Sequence, residues 1–219
     1  MLQFTLLRFP VAIQPSFWIT SVLMGYGLVQ GPSGHVMYLV LWIIILFLSI
    51  LWHELGHAIA FRKFGIESEI VLYAFGGLAI PQGARRLTRG QDITVSAAGP
   101  AFQLAIGVPL WWLGKEGHLA AFVAERPFAA LALNQIIFVN LVWAIVNLFP
   151  VFPLDGGRIS FALFGPRRVQ PALILSMITA AGMAMACLVY FRMPFAGIFF
   201  GLMAWNNWQR YNSRDELPW

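Results

Sequence analysis

Residues 36–62 read VMYLVLWIIILFLSILWHELGHAIAFR, and no charge interrupts them before His53 and Glu54. A helix needs about 17–25 apolar residues to cross hydrocarbon, so the stretch reads as a transmembrane span. His53 lies nine residues before Arg62, which at the helical rise is about 13 Å inside the membrane edge. An ionisable group costs on the order of 3 kcal/mol or more at that depth, so such groups face a cavity or a partner. His53, Glu54 and His57 together call for one common explanation.

The rest of the chain supports a membrane setting. Of 219 residues, 59% are hydrophobic and 11% charged, with a mean hydropathy of +0.74, far from soluble composition. Six apolar segments are long enough to be candidate spans: 11–30, 36–62, 91–113, 127–148, 169–191 and 194–210. Pro15 interrupts the first, and the last runs into Asn206, Asn207 and Gln209. The fold expected is an all-α polytopic membrane protein of about six helices, a single domain over 1–219 with its core at about 36–160. The N-terminal residues carry one arginine, two prolines and no small-residue cleavage site, so they read as an anchor rather than a removable signal.

Charge fixes the expected orientation. With both termini cytoplasmic, one side receives Arg8, Arg62, Lys63, Arg85, Arg86, Arg89, Arg158, Arg167, Arg168, Arg210 and Arg214, and the other only Lys115, Arg126 and Arg192. That is the positive-inside pattern. It also accounts for the net charge of +5 through short loops facing an anionic leaflet, with no basic and aromatic stripe for nucleic acid.

His53, Glu54 and His57 form H-E-x-x-H. Positions i and i+4 share a helix face, so both imidazoles can reach one metal. Zinc accepts neutral imidazole in a tetrahedral shell and keeps one position open in a catalytic site. Glu54, beside the first histidine, is placed to take a proton from water and pass it to a leaving amine. A helix carrying two hydrogen-bonded histidines and a snorkelling glutamate is the plainer alternative, disfavoured by the depth of all three.

Two histidines leave a catalytic zinc one protein ligand short. The position six after His57 is Lys63, so the metzincin third histidine is absent. Candidates are Glu67, Glu69, Asp92, His35, His118 and Asp155. Only Asp155 has distinctive surroundings, NLFPVFPLDGG at 147–157. Its prolines and glycines are turn formers, and they would also let backbone fold closely around a carboxylate bound to a metal.

HELGH within a span, joined to N-x-x-P-x-x-P-L-D-G-G from Asn147 to Gly157, resembles the site-2 protease family of intramembrane zinc metalloproteases. AAGPAFQ at 97–103 also resembles the family's third core helix. The resemblance implies His53, His57 and Asp155 as ligands of one zinc ion per chain, Glu54 as general base, and Asn147 as a donor to the substrate carbonyl or oxyanion. It implies cleavage of membrane-anchored proteins within or near their transmembrane helices, often releasing tethered regulators. Segments 65–90 and 211–219 are too short to hold the PDZ or CBS domains that many family members carry, so a compact form is expected. Compactness also points to a prokaryotic plasma membrane.

Other features take simpler readings. Asn140 is expected to hydrogen-bond across helices, and Gly99, Gln103 and Gly107 to mark close packing against the span with the histidines. The segment IESEIVLYAFGGLAIPQ (66–82) has strand-like runs flanking Gly76–Gly77, which predicts a cytoplasmic-side hairpin or re-entrant sheet. Its edge could hold an extended substrate by strand addition. Tryptophans such as Trp18, Trp111, Trp112, Trp205 and Trp208 suit interfacial belts, and Cys187 has no partner for an internal disulfide. Two rival functions remain. A catalytically silent scaffold for single-span partners has no need of Glu54, and a zinc transporter needs polar residues continuing across the membrane, where 36–48 are apolar.

Overall fold

The computed structural model describes residues 1–30, 35–165 and 168–213. Arg167 and Arg214, both counted on the basic side, lie outside them. The chain divides into two compact units, Met1–Ala84 with Ala98–Ile145, and Arg85–Ala97 with Val146–Trp219.

The first unit is organised on α2, Val36–Lys63. Its start is capped by His35, whose Nδ1 accepts the Met37 N–H at 3.1 Å. Its end carries Arg62 and Lys63, which complement the negative end of the helix dipole. Gly65 then turns left-handed (φ 72°). There the Ile66 N–H reaches back to Phe61 O (3.0 Å) and the Gly65 N–H to Arg62 O (2.9 Å), the paired bonds that satisfy orphaned terminal carbonyls.

A four-stranded sheet packs on α2, in the order β1 (Leu2–Leu6), β2 (Phe9–Ile13), β3 (Ser68–Tyr73) and β4 (Gly76–Pro81). β1–β2 and β3–β4 are antiparallel hairpins, while β2 and β3 run parallel with Val11 opposite Ile70. Phe9, Val11, Ile13, Ile70 and Leu72 point inward and are buried with Ile50, Leu51 and Leu55 of α2. The expected hairpin is therefore present, as half of a larger sheet. Its turn falls on Ala74–Phe75, and Gly76 and Gly77 belong to β4.

The N-terminal expectation needs correction. Residues 11–13 are strand, and α1 (Pro15–Gly25) begins only after Gln14, so the first apolar helical stretch covers Pro15–Val29. Uniform apolarity concealed the period-two burial of Phe9, Val11 and Ile13. Proline at the first helical turn, where its missing N–H costs nothing, sets the boundary.

Four described helices are long and apolar enough to cross a membrane: α2, α3 (Arg89–Lys115), the Pro127–Asn147 stretch and Val169–Val189. These match the second to fifth expected spans within two residues at each end, and the chain is an integral membrane protein. The Pro127–Asn147 stretch consists of α5 (Pro127–Phe138), a π-helical turn at Val139–Trp143 and α6 (Ala144–Asn147), with α4 (Ala120–Ala124) before it.

In the first unit, glycine permits close helix crossings. A Cβ at Gly56 would lie 2.6 Å from Ala98 O, and one at Gly107 2.9 Å from Leu141 Cδ2. Asn140, 1% exposed, donates to Ser49 Oγ at 3.0 Å, the cross-helix bond expected of it.

The second unit holds the start of α3, the 148–154 loop, α7 (Asp155–Phe164), α8 (Val169–Val189) and α9 (Pro194–Ser213). α8 and α9 pack along each other, with Gly197 against Leu188. Replacing Asn140 with leucine should remove the bond to Ser49 at a cost of about 0.6–1.7 kcal/mol, read as a lower thermal midpoint of the detergent-solubilised protein.

Candidate metal centre

α2 brings three of the expected residues together. His53, Glu54 and His57 are 4%, 4% and 6% exposed, and Nε2 of His57 lies 3.0 Å from Nε2 of His53. Two lone pairs facing at that distance repel unless a proton or a cation lies between them. Ligands on tetrahedral zinc stand about 3.3 Å apart, given Zn–N bonds of about 2.0–2.1 Å. The observed 3.0 Å is close to that spacing, so a small separation of the rings would admit the ion.

The other face of His53 is also fixed. Its Nδ1 lies 2.8 Å from Gln103 Oε1, so the Nδ1–H can donate and leave Nε2 as a lone pair, as in metal-binding histidines. Gln103 is fully buried, and its Nε2 donates to Ser49 O at 3.4 Å. The sequence placed Gln103 on a packing stripe with Gly99 and Gly107 but missed this partnership. Its signal was a long amide on the helix face shared with two glycines.

The same stripe explains Gly99. A Cβ there would lie 2.6 Å from His53 Nε2 and closer still to His57 Nε2. Glycine lets α3 pass beside both nitrogens and leaves room between them. Gly77 does the same for the acid: a Cβ on it would fall 2.6 Å from Glu54 Oε1, so the β4 backbone runs against that carboxylate.

Other third-ligand candidates of the first unit have different settings. His35 caps the opposite end of α2, and His118 lies beside Trp112, with ring centroids 5.9 Å apart. Glu67 is exposed, while Glu69 lines a 380 Å³ cavity on the sheet with Gln3 and Thr5.

In the second unit, Asn147 ends α6 half-buried, and Asp155 opens α7 at 8% exposure. There the positive end of the helix dipole favours a carboxylate. The chain folds tightly before it. A Cβ on Gly156 would collide with Leu148 O and Phe149 O, and one on Gly157 would lie 2.5 Å from Phe152 N. Asp92, another candidate, sits in the first turn of α3.

Comparison with known proteins bears out the resemblance. The model of peptidase family M50 matches residues 41–128 and 117–189. The chain belongs to that family. It is 27% identical over 166 residues to a zinc metalloprotease of Methanocaldococcus jannaschii, an alignment covering 75% of this chain and 45% of that protein. It is also 27% identical over 215 residues to stage IV sporulation protein FB of Bacillus subtilis, covering 94% and 68%. The chain thus spans less than half the length of the first of these relatives. The solved site-2 protease from Methanocaldococcus jannaschii shares the fold, with a TM-score of 0.61 at 21% identity over 96% of this chain and 94% of that one.

Gly99→Ala should part the two imidazoles and lower the affinity of the purified protein for a divalent metal by about tenfold or more, measured by equilibrium titration.

Proposed function

We propose that this chain is an intramembrane zinc metalloendopeptidase that hydrolyses peptide bonds within or near the transmembrane segments of membrane-anchored proteins. The observation that carries the reading is the buried His53–His57 pair, 3.0 Å apart at Nε2, with Glu54 on the same turn of an apolar helix in a chain of family M50. His53, His57 and Asp155 are the proposed ligands of one zinc ion. Supporting Asp155 is its burial, since a buried carboxylate demands a cation or several donors.

Zinc, when bound, supplies Lewis acidity to the peptide carbonyl and to water. Glu54 takes the proton of the attacking water and delivers it to the departing amide nitrogen. Its carboxylate lies against the Gly77 backbone, which limits its rotamers and so its direction. Gln103 holds the His53 ring and its tautomer. Asn147 donates to the developing oxyanion. Outer strand β4 has one backbone edge without a partner strand among the described residues, and an unwound substrate segment pairs there by strand addition.

In this reading 1–219 is one protease domain with its core at 36–160. Pro15–Val29 and α9 are the first and last of six crossings, with both termini cytoplasmic in a prokaryotic plasma membrane. The basic ends of α2 and α9 and the arginine at the start of α3 support that orientation. The substrate is a transmembrane protein, recognised by a segment that can unwind.

Purified wild type should contain about one zinc per chain, with the content lost or much reduced in His57→Ala and Asp155→Ala; retention in Asp155→Ala would remove it from the ligand set. Glu54→Gln should keep the zinc and lose turnover of a membrane-embedded model substrate. A Glu54→Gln protein that still cuts would overturn the role of that residue.

A further inference from the structure

Ser176 of α8 and Asn207 of α9 are buried polar residues that the proposed chemistry does not use. Each is 1% exposed. Both are directed at one peptide segment of the loop before Asp155. The Phe152 N–H donates to Ser176 Oγ at 2.6 Å, and Asn207 Nδ2 donates to Phe152 O at 2.8 Å. Asn207 Nδ2 also donates to Met203 O of its own helix at 2.7 Å, which restrains the amide's orientation. The Arg210 guanidinium carbon lies 4.9 Å from the Phe152 ring centroid, and Phe161 of α7 meets the same ring edge-on at 5.5 Å.

The link from Phe152 to Asp155 is short and stiff. Pro153 has its φ locked by its ring. Leu154, the residue before α7, is extended (φ −61°, ψ 162°), and its N–H is bound to Val151 O at 2.8 Å. Gly157 packs against the Phe152 amide so closely that a Cβ would lie 2.5 Å from its nitrogen. Fixing both polar groups of Phe152 therefore fixes the first residue of α7.

We propose that Ser176 and Asn207 are positioning residues for the Asp155 carboxylate, acting through the backbone of Phe152. The inference rests on the reading of Asp155 as a metal ligand and assigns the α8–α9 pair, which lies beyond both sequence motifs, a part in building the metal site. Outer partners of metal ligands commonly affect affinity by about 10- to 100-fold. These two act one step further out, through main chain.

The test uses the full chain in detergent, stripped of metal and titrated with Co²⁺, whose visible spectrum reports ligand number and geometry. Ser176→Ala and Asn207→Leu should each weaken Co²⁺ binding by about tenfold or more and alter the visible bands. Ser176→Thr, which keeps the hydroxyl, should restore wild-type binding and spectrum. Ser176→Ala removes only one oxygen, so it keeps the test available if Asn207→Leu fails to fold. Wild-type affinity and spectrum in folded Ser176→Ala, even with a lower melting temperature, would overturn the inference and leave the hydroxyl a role in loop stability alone. Asp155→Ala is titrated alongside. If it binds Co²⁺ as wild type does, the ligand assignment falls and this inference with it; if it loses Co²⁺ while Ser176→Ala does not, only this inference falls.

Discussion

Hydrocarbon offers no water to a polar atom, and the first unit meets that constraint with a continuous chain of buried polar groups. Asn140 donates to the Ser49 hydroxyl, Gln103 donates to the Ser49 carbonyl and meets His53 Nδ1, and His53 Nε2 faces His57 Nε2. Each link ties one helix of the unit to another or fixes a ring on α2. Individually such bonds are worth about 0.6 kcal/mol on average. Their larger effect is on geometry, because a buried polar side chain that loses its partner incurs a desolvation cost of about 1–3 kcal/mol, which holds the histidine rings in one arrangement.

Glycine is what lets backbone approach that chain. Gly99 clears space beside the two imidazoles, Gly77 lets β4 run against Glu54, and Gly56 and Gly107 bring the surrounding helices close. The second unit uses the same device differently. Gly156 and Gly157 allow the 148–154 loop to fold onto the first turn of α7, and Ser176 and Asn207 satisfy the loop peptide that results. Residues without side chains draw backbone close to a carboxylate in the first unit and to the helix turn that carries one in the second, and the loop peptide so buried finds partners on α8 and α9.

Much of this was legible beforehand because the signals are local. The middle spans were readable from run length, and His53, Glu54 and His57 from a spacing that maps directly onto one helix face. The 66–82 hairpin was readable from two strand-like runs, although its turn was placed two residues late because Gly76–Gly77 looked like the natural bend. Gly77 instead gives room to the carboxylate of Glu54, while Gly76 faces Trp143. The N-terminal hairpin was missed because both faces of FPVAI are apolar and give no contrast, while the alternation of Gln3 and Thr5 with Leu2, Phe4 and Leu6 spans only five residues.

The sequence by itself determined a membrane setting, the positions of four spans, the spacing of the histidines on α2 and the site-2 protease resemblance, since each depends on composition or on short local motifs. Only the tertiary structure decided that Gln103 holds His53, that Gly77 rather than a turn residue touches Glu54, that β2 pairs with β3 to complete a sheet, and that Ser176 and Asn207 grip Phe152. Those pairings join residues 23 to 59 positions apart in the chain. No periodicity within one element encodes such a contact; it exists only once helices cross at a particular angle and depth.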